Sequence, residues 1–161
     1  MSAKIFVIFI CAAVGTAAGY IIMRSYKRNF VYLDGVCKLI GELKRNIAYR
    51  KDSAATVLSG MTTDSALLKK NIDEYVAFTA GKDEKPNISR GFLAADAYGR
   101  VCELFSSIGR SDGSSQIDQL DMFGETFGNF RSIAEQKCKK YAAIAGKLGF
   151  LFGLGVGVLT L

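Results

Sequence analysis

Side chains that perform acid–base, nucleophilic or metal chemistry are sparse in this sequence. Histidine is absent, and the four cysteines form no C-x-x-C pair; they are Cys11, Cys37, Cys102 and Cys138. This pattern does not indicate a zinc site or a disulfide framework, and the cysteines are interpreted as small buried hydrophobic residues. Asp73 and Glu74 are adjacent and would point in different directions from a helix, so they do not resemble a catalytic carboxylate pair.

Serine is the remaining candidate nucleophile, but the sequence provides it with no evident base. Ser111 and Asp112 stand together in a stretch rich in glycine and serine, where such side chains favour capping a helix N-terminus over binding or catalysis. Gln116 would reinforce that turn or contact a partner, and the sequence leaves both open. It therefore predicts a protein with no enzymatic activity and with no bound cofactor or metal.

Charge is distributed unevenly along the chain. Both ends are almost wholly apolar, and every charged residue except Lys4 lies between Arg24 and Lys147. Between these two residues, 20 basic side chains stand against 15 acidic ones, a modest surplus that is typical of cytoplasmic segments beside membrane helices. No continuous basic face interleaved with aromatic residues is present, so the sequence predicts no nucleic-acid partner.

The N-terminal segment, residues 4–23, is predicted to be a membrane-spanning helix. Ile5–Met23 holds 19 residues without a charge, which would extend over roughly 28 Å as a helix, close to the thickness of a bilayer core. The alternative is a signal peptide cleaved at Ala17-Ala18-Gly19, which would release a secreted helical protein. Retention is favoured because the apolar run continues past that point and basic residues follow it at once.

The C-terminal segment, residues 142–161, is predicted to be a second membrane-spanning helix. Leu148–Leu161 alone has 14 uncharged residues, about 21 Å of helix, which is too short to span a bilayer. If the helix extends back through Tyr141, it has the ordinary length of a membrane-spanning helix. It then includes Lys147, whose long side chain can reach the membrane–water interface. The alternative is a helix that only dips into the membrane or packs on the body of the protein. Basic residues flank both anchors on the inner side, which predicts a cytoplasmic body and two external termini.

Glycines recur at helical spacing within both anchors. Gly149, Gly153 and Gly157 are four residues apart, as are Gly15 and Gly19. Small residues at this spacing let helix backbones approach closely in lipid, which predicts a packing face between the two anchors of one chain or between subunits. The alternative is that glycine is simply common in membrane helices.

The polar middle, residues 24–141, is predicted to be an all-α bundle. Apolar residues recur at steps of three and four, and no stretch alternates with a period of two. The first helix carries Leu33 to Ile47 and ends near Arg50, and a charged linker with the only proline covers residues 80–91. The last helix would begin after the turn Gly109–Ser115 and run into the second anchor, either unbroken or with a bend at Gly124 and Gly128, which are poor helix formers.

Short helices between these elements have recognisable start signals. Asp52 or Ser53 would cap a helix that carries Ala54, Val57, Leu58 and Met61. Thr63, Asp64 or Ser65 would cap the next, whose predicted apolar face is Leu68, Ile72, Tyr75 and Thr79. A fourth helix carries Leu93 to Ile108, and Ser111, Asp112 or Ser114 would cap the last one.

Two segments resemble motifs of the stage III sporulation protein AB family. Ile108-Gly109-Arg110-Ser111-Asp112, followed by Gln116, resembles the family's L-G-x-S-D-x-x-x-Q segment. Forty residues on, Leu148-Gly149-Phe150-Leu151-Phe152-Gly153-Leu154 resembles its closing L-G-F-L-x-G-L run. The chain departs from the family at Ser106-Ser107, where members carry a Gly-Glu pair.

The resemblance implies a role in endospore formation. The family is similar to the inner-membrane platform protein of type II secretion and type IV pilus machines. It implies a place in the mother-cell membrane around the forespore, within a channel complex of other membrane proteins, and contact with a cytoplasmic secretion-type ATPase. Membrane lipid and further copies of the chain are expected partners as well. The alternative is an unrelated small membrane scaffold or regulatory protein with a cytoplasmic helical domain.

Overall fold

The computed structural model describes residues 2–50, 53–81, 86–108 and 113–159. Over these ranges the chain is helical without a strand, which confirms the all-α prediction. A five-residue π-helix, Asn46–Arg50, extends the first α-helix. The α-helices are α1, Ser2–Arg45; α2, Ala54–Ser59; α3, Ala66–Thr79; α4, Ala95–Ser107; and α5, Gly113–Leu159.

Two helices have a described side-chain N-cap, and the capping residue is a serine in both. The Ser53 hydroxyl accepts the backbone N–H of Thr56 at 3.3 Å, and the Ser65 hydroxyl accepts that of Leu68 at 3.3 Å. Each bond satisfies a donor that a helix N-terminus otherwise leaves unpaired. Both residues are among the predicted caps, whereas Asp52 lies outside the described residues.

Helix α5 is continuous from Gly113 to Leu159, as the periodicity predicts. The helix therefore includes Gly113–Ser115, so the prediction that these three residues belong to the preceding turn is wrong, as is the prediction that Ser114 caps the helix. Three other end positions also differ from prediction. Met61 lies beyond α2, Leu93 precedes α4, and Ile108 follows it, although Leu93 and Ile108 are buried.

The chain divides into two compact units. The first consists of Met1–Phe30 with Ile133–Leu161, and it includes both predicted anchors. The second is Val31–Ser132, in which the later part of α1 and the earlier part of α5 belong to one helical bundle with α2, α3 and α4. The large side chains buried most completely there are Tyr32, Phe105, Phe127, Leu39, Leu58, Leu68, Leu104 and Leu120.

The described burial corrects two predictions. Thr79 is exposed, although it shares the predicted apolar face of α3 with Leu68, Ile72 and Tyr75, which are buried. Its hydroxyl donates to the Val76 carbonyl within its own helix at 2.8 Å. The cysteines were expected to be buried, but three of them are half-buried: Cys37, Cys102 and Cys138.

Within the first unit, the two helices meet at a pair of tyrosines. The Tyr26 and Tyr141 rings stack with 5.6 Å between their centroids and an interplanar angle of 20°. Ala12 and Gly19 are buried, while large apolar side chains of both helices are exposed, among them Phe9 at 70% and Phe152 at 76%. Among the described residues, no helix contains a stretch both long and apolar enough to cross a membrane.

Candidate interaction sites

The predicted glycine faces lie on the two long helices. Gly15 and Gly19 are in α1, where Gly15 is half-buried and Gly19 is buried. Gly149, Gly153 and Gly157 are helical residues of α5, and their surroundings lie outside the described part of the chain. The α1 glycines thus occupy an internal side of their helix.

The family-motif residues fall in three different environments. Ile108 is buried at the C-terminus of α4, and its carbonyl accepts the Tyr75 hydroxyl at 3.2 Å. Gln116 is half-buried near the start of α5, and Leu148 is exposed. Phe150 lies in α5 with its side chain not described, and Gly109, Ser111 and Asp112 lie outside the described residues.

The residues around Ser111 match one further sequence pattern. Gly109–Gly113 has the spacing G-x-S-x-G of a nucleophile elbow. An elbow joins a strand to a helix and presents its serine to a histidine base. Here the pattern stands between helices α4 and α5, and the chain contains no histidine. The pattern therefore lacks the context that gives it a catalytic meaning.

The second unit contains a buried amide network that is not among the sequence-based predictions. Asn71, fully buried in α3, donates from Nδ2 to the Tyr32 hydroxyl at 3.0 Å and to the Ser89 carbonyl at 3.2 Å. Its Oδ1 accepts the Ser89 N–H at 2.9 Å. The amide therefore uses both donor hydrogens and one acceptor position. The available signal was an asparagine three residues after Leu68 and four before Tyr75, on the apolar face of α3.

Burial of Tyr32 changes its ionisation. Desolvation raises the pKa of Tyr32 to about 12 from an ordinary value of 10.0. The hydrogen bond with Asn71 lowers that pKa, and the nearby Cys102 raises it further, although both effects are smaller than desolvation. The hydroxyl is therefore neutral across the physiological range, where it acts as a structural group.

Asp34 is a carboxylate of α1 that pairs with α5. Its Oδ1 lies 2.7 Å from Arg131 Nε on α5, and its Oδ2 lies 2.9 Å from Lys38 Nζ one turn along α1. Hydrogen bonding from Lys38 lowers the pKa of Asp34, and the charge and hydrogen bond of Arg131 lower it as well. Asp34 is consequently an anionic link between α1 and α5 rather than an acid or base.

Net charge separates sharply between the two units. The first unit has eight basic residues and one acidic residue, Glu135, whereas the second has 13 basic and 14 acidic residues. The positive charge of the whole chain is therefore located in the unit that exposes apolar side chains. A single count over residues 24–147 does not reveal this division.

Neither metal chemistry nor similarity assigns a reaction to these sites. In the described ranges, no three of the side chains Cys, Asp and Glu are grouped so that they could hold a metal ion. No family model matches the chain, and no curated protein or solved structure is significantly similar to it.

Proposed function

We propose that the protein is a non-enzymatic, membrane-anchored platform subunit of the complex that connects mother cell and forespore during endospore formation. Helices at both ends would seat it in the mother-cell membrane around the forespore. Its helical domain would lie in the cytoplasm and contact a secretion-type ATPase. The two motif segments and the forty residues that separate them support the sporulation role. The exposed apolar side chains of the first unit support the anchoring.

Exposed apolar side chains on both long helices are the observation that supports anchoring. Phe9, Ile21 and Ile22 of α1 and Leu151 and Phe152 of α5 are all at least 50% exposed. Leaving this much apolar surface in water is unfavourable, whereas lipid would cover it at no cost. The uncharged run from residue 5 to residue 23 also includes residues 5–8 and 11, whose side chains are not described.

The polar groups of the second unit support a scaffold rather than an enzyme. Asn71 bonds to Tyr32 and Ser89, and Asp34 bonds to Arg131, so the polar groups of both residues are engaged by other parts of the chain. Catalytic groups need unused hydrogen-bonding capacity directed at a substrate. These two instead hold α1 against α3 and α5, as expected of a rigid adaptor.

Membrane topology is the first test. In a cysteine-free variant of the full chain, single cysteines would replace Asn87, an exposed residue of the second unit, and Ser2, at the N-terminus. In non-sporulating cells that express the full chain, so that the external side of the membrane faces the medium, an impermeant maleimide should label Ser2→Cys in intact cells and should label Asn87→Cys only after the membrane is opened. Labelling of Asn87→Cys in intact cells, or full recovery of the protein in the soluble fraction, would refute the anchored orientation.

Assembly is the second test. Gly149→Leu/Gly153→Leu would block close helix packing in lipid, and it should reduce co-purification of the ATPase and lower the spore count. Gly155→Leu, two residues from the proposed face and with no atom within 4 Å of an added Cβ, is the matched control. Equal assembly and sporulation in the wild type and both variants would contradict the proposal.

An unrelated membrane scaffold or regulator is the second candidate, since anchoring alone is not specific for sporulation. A gene located away from sporulation genes, in a cell that sporulates normally without it, would favour that candidate.

A further inference from the structure

We infer that the first unit binds anionic phospholipid headgroups through a basic collar. The collar consists of six exposed residues: Arg24, Lys27 and Arg28 of α1, and Lys137, Lys139 and Lys140 of α5. The inference rests on the proposed membrane anchoring and adds to it a preference among lipids.

The stacked tyrosines place the two halves of the collar at one level. Tyr26 and Tyr141 are in ring contact. Lys27, Arg28, Lys139 and Lys140 lie within two residues of one of these tyrosines along its helix, which corresponds to about 3 Å along the axis. Positive charges from two helices therefore form a single belt rather than two separate patches.

Acidic residues are too few in the first unit to neutralise the belt. Glu135 is the sole acidic residue of that unit, and it pairs with Lys139 at 2.7 Å. Lys140 Nζ lies 5.6 Å from the centroid of the Tyr141 ring, a contact that leaves its positive charge in place. A phosphate is the anion that a bilayer offers at this position, and basic clusters beside membrane helices attract anionic lipid.

The apolar residues beside the belt fix its depth. Ile21 and Ile22 closely precede Arg24, and Ile144 follows Lys140 by one helical turn; all three isoleucines are exposed. Tyrosines and basic residues next to exposed apolar side chains are characteristic of the level of lipid headgroups. An acidic protein surface would match the charge but would not cover these isoleucines, so phospholipid is the ligand that fits both features.

The absence of tryptophan from the chain permits a direct test. Tyr141→Trp would place one fluorophore in the belt and preserve an aromatic ring on Tyr26, and Phe9→Trp would place one far along α1. The full chain, reconstituted in phosphatidylcholine bilayers, would be titrated with brominated phosphatidylglycerol or brominated phosphatidylcholine. Quenching by each lipid gives its relative association at each fluorophore.

We expect quenching of the Tyr141→Trp variant to favour the anionic lipid at least tenfold, because each basic residue near the surface is worth about fivefold in affinity and two of them together exceed tenfold. In the same bilayers, Phe9→Trp should be quenched equally by both lipids. Lys27→Gln/Lys140→Gln, made in the Tyr141→Trp background, should reduce the preference at least severalfold, because two of the six collar charges are removed. Lys69→Gln/Lys70→Gln, two exposed lysines of α3 with the same change of charge, should leave it unchanged.

The outcomes separate this inference from the proposed function. Equal quenching of Tyr141→Trp by both lipids would overturn the collar while leaving the anchors intact. A preference of unchanged size in Lys27→Gln/Lys140→Gln would overturn it as well. No quenching of Phe9→Trp by either lipid would instead refute the membrane anchoring itself.

Discussion

Asn71 of α3 donates a hydrogen bond to the hydroxyl of Tyr32 on α1, 39 residues earlier in the chain, at a distance of 3.0 Å. The bond joins α3 to α1, the long helix whose later part belongs to the second unit. Ser89, in the segment before α4, completes the network with two further bonds to Asn71. A single amide therefore ties together three separate parts of the helical domain.

Replacing Asn71 by leucine should be strongly destabilising. The substitution leaves the Ser89 N–H and carbonyl without their described partner and removes the donor to Tyr32. A buried group left unpaired costs about 1–3 kcal/mol, so we expect a loss of roughly 2–4 kcal/mol in the free energy of unfolding. Urea denaturation of the full chain in a mild non-ionic detergent, followed by circular dichroism, would measure it. Asn87→Leu, at an exposed asparagine, is the control. If Asn71→Leu lowers the free energy of unfolding by less than about 1 kcal/mol, the network does not stabilise the fold as proposed.

Alkaline pH should destabilise the fold through Tyr32. The pKa of Tyr32 is about 12 in the folded chain against 10.0 ordinarily, so the unfolded chain loses this proton first. The stabilising difference is fully present below pH 10 and is lost as the pH rises towards 12. Two pKa units correspond to roughly 2–3 kcal/mol.

Tyr32→Phe isolates this contribution, because phenylalanine does not titrate. The difference in the free energy of unfolding between wild type and Tyr32→Phe should narrow or reverse between pH 9 and 12. Tyr49→Phe, at a tyrosine that is 86% exposed, is the control. Parallel pH profiles for wild type and Tyr32→Phe would contradict the raised pKa.

The bridge between Asp34 and Arg131 should stabilise the fold modestly and only while Asp34 is ionised. The pKa of Asp34 is lowered in the folded chain, chiefly by Lys38 and also by Arg131. Its contribution is therefore present above the unfolded pKa, near 4, and disappears as the pH falls through the folded value. Arg131→Gln should cost about 1 kcal/mol at pH 7, and this cost should shrink as the pH falls through the lowered pKa of Asp34.

The matched control for this bridge is Arg100→Gln. Arg100 pairs with Glu103 within one helix at 2.8 Å, and both side chains are more than half exposed. We expect a cost below about 0.5 kcal/mol. A pH-independent effect of Arg131→Gln would mean that the arginine acts through packing of its aliphatic part and not through its charge.

Two glycines of α1 should respond oppositely to alanine. A Cβ at Gly35 would lie 2.6 Å from Leu68 Cδ2, and Leu68 is fully buried, so it has little room to move. Gly35→Ala should cost roughly 1–3 kcal/mol through overpacking. Gly41 has no atom within 4 Å of an added Cβ, so Gly41→Ala should gain up to about 1 kcal/mol from helix propensity. The same urea titration measures both, and equal effects would show that the Gly35–Leu68 contact is not tight.

The helical class, most of the helices and the candidates for two caps could be predicted from the sequence. These features depend on local chemistry: the spacing of apolar residues reports helix faces, and Ser53 and Ser65 cap helices through neighbours three residues away. Thr79 shows where such spacing fails, since a position on the apolar face of an isolated helix need not be covered by another helix.

Tertiary structure alone decided the long-range relationships. Asn71 meets Tyr32 across 39 residues, Asp34 meets Arg131 across nearly 100, and no periodicity specifies which polar side chains will face each other. The division of charge is also a tertiary property, because the basic residues of the first unit come from opposite ends of the chain. Pairing of α1 with α5 at Tyr26 and Tyr141 joins them into one belt, and linear spacing contains no information about that pairing.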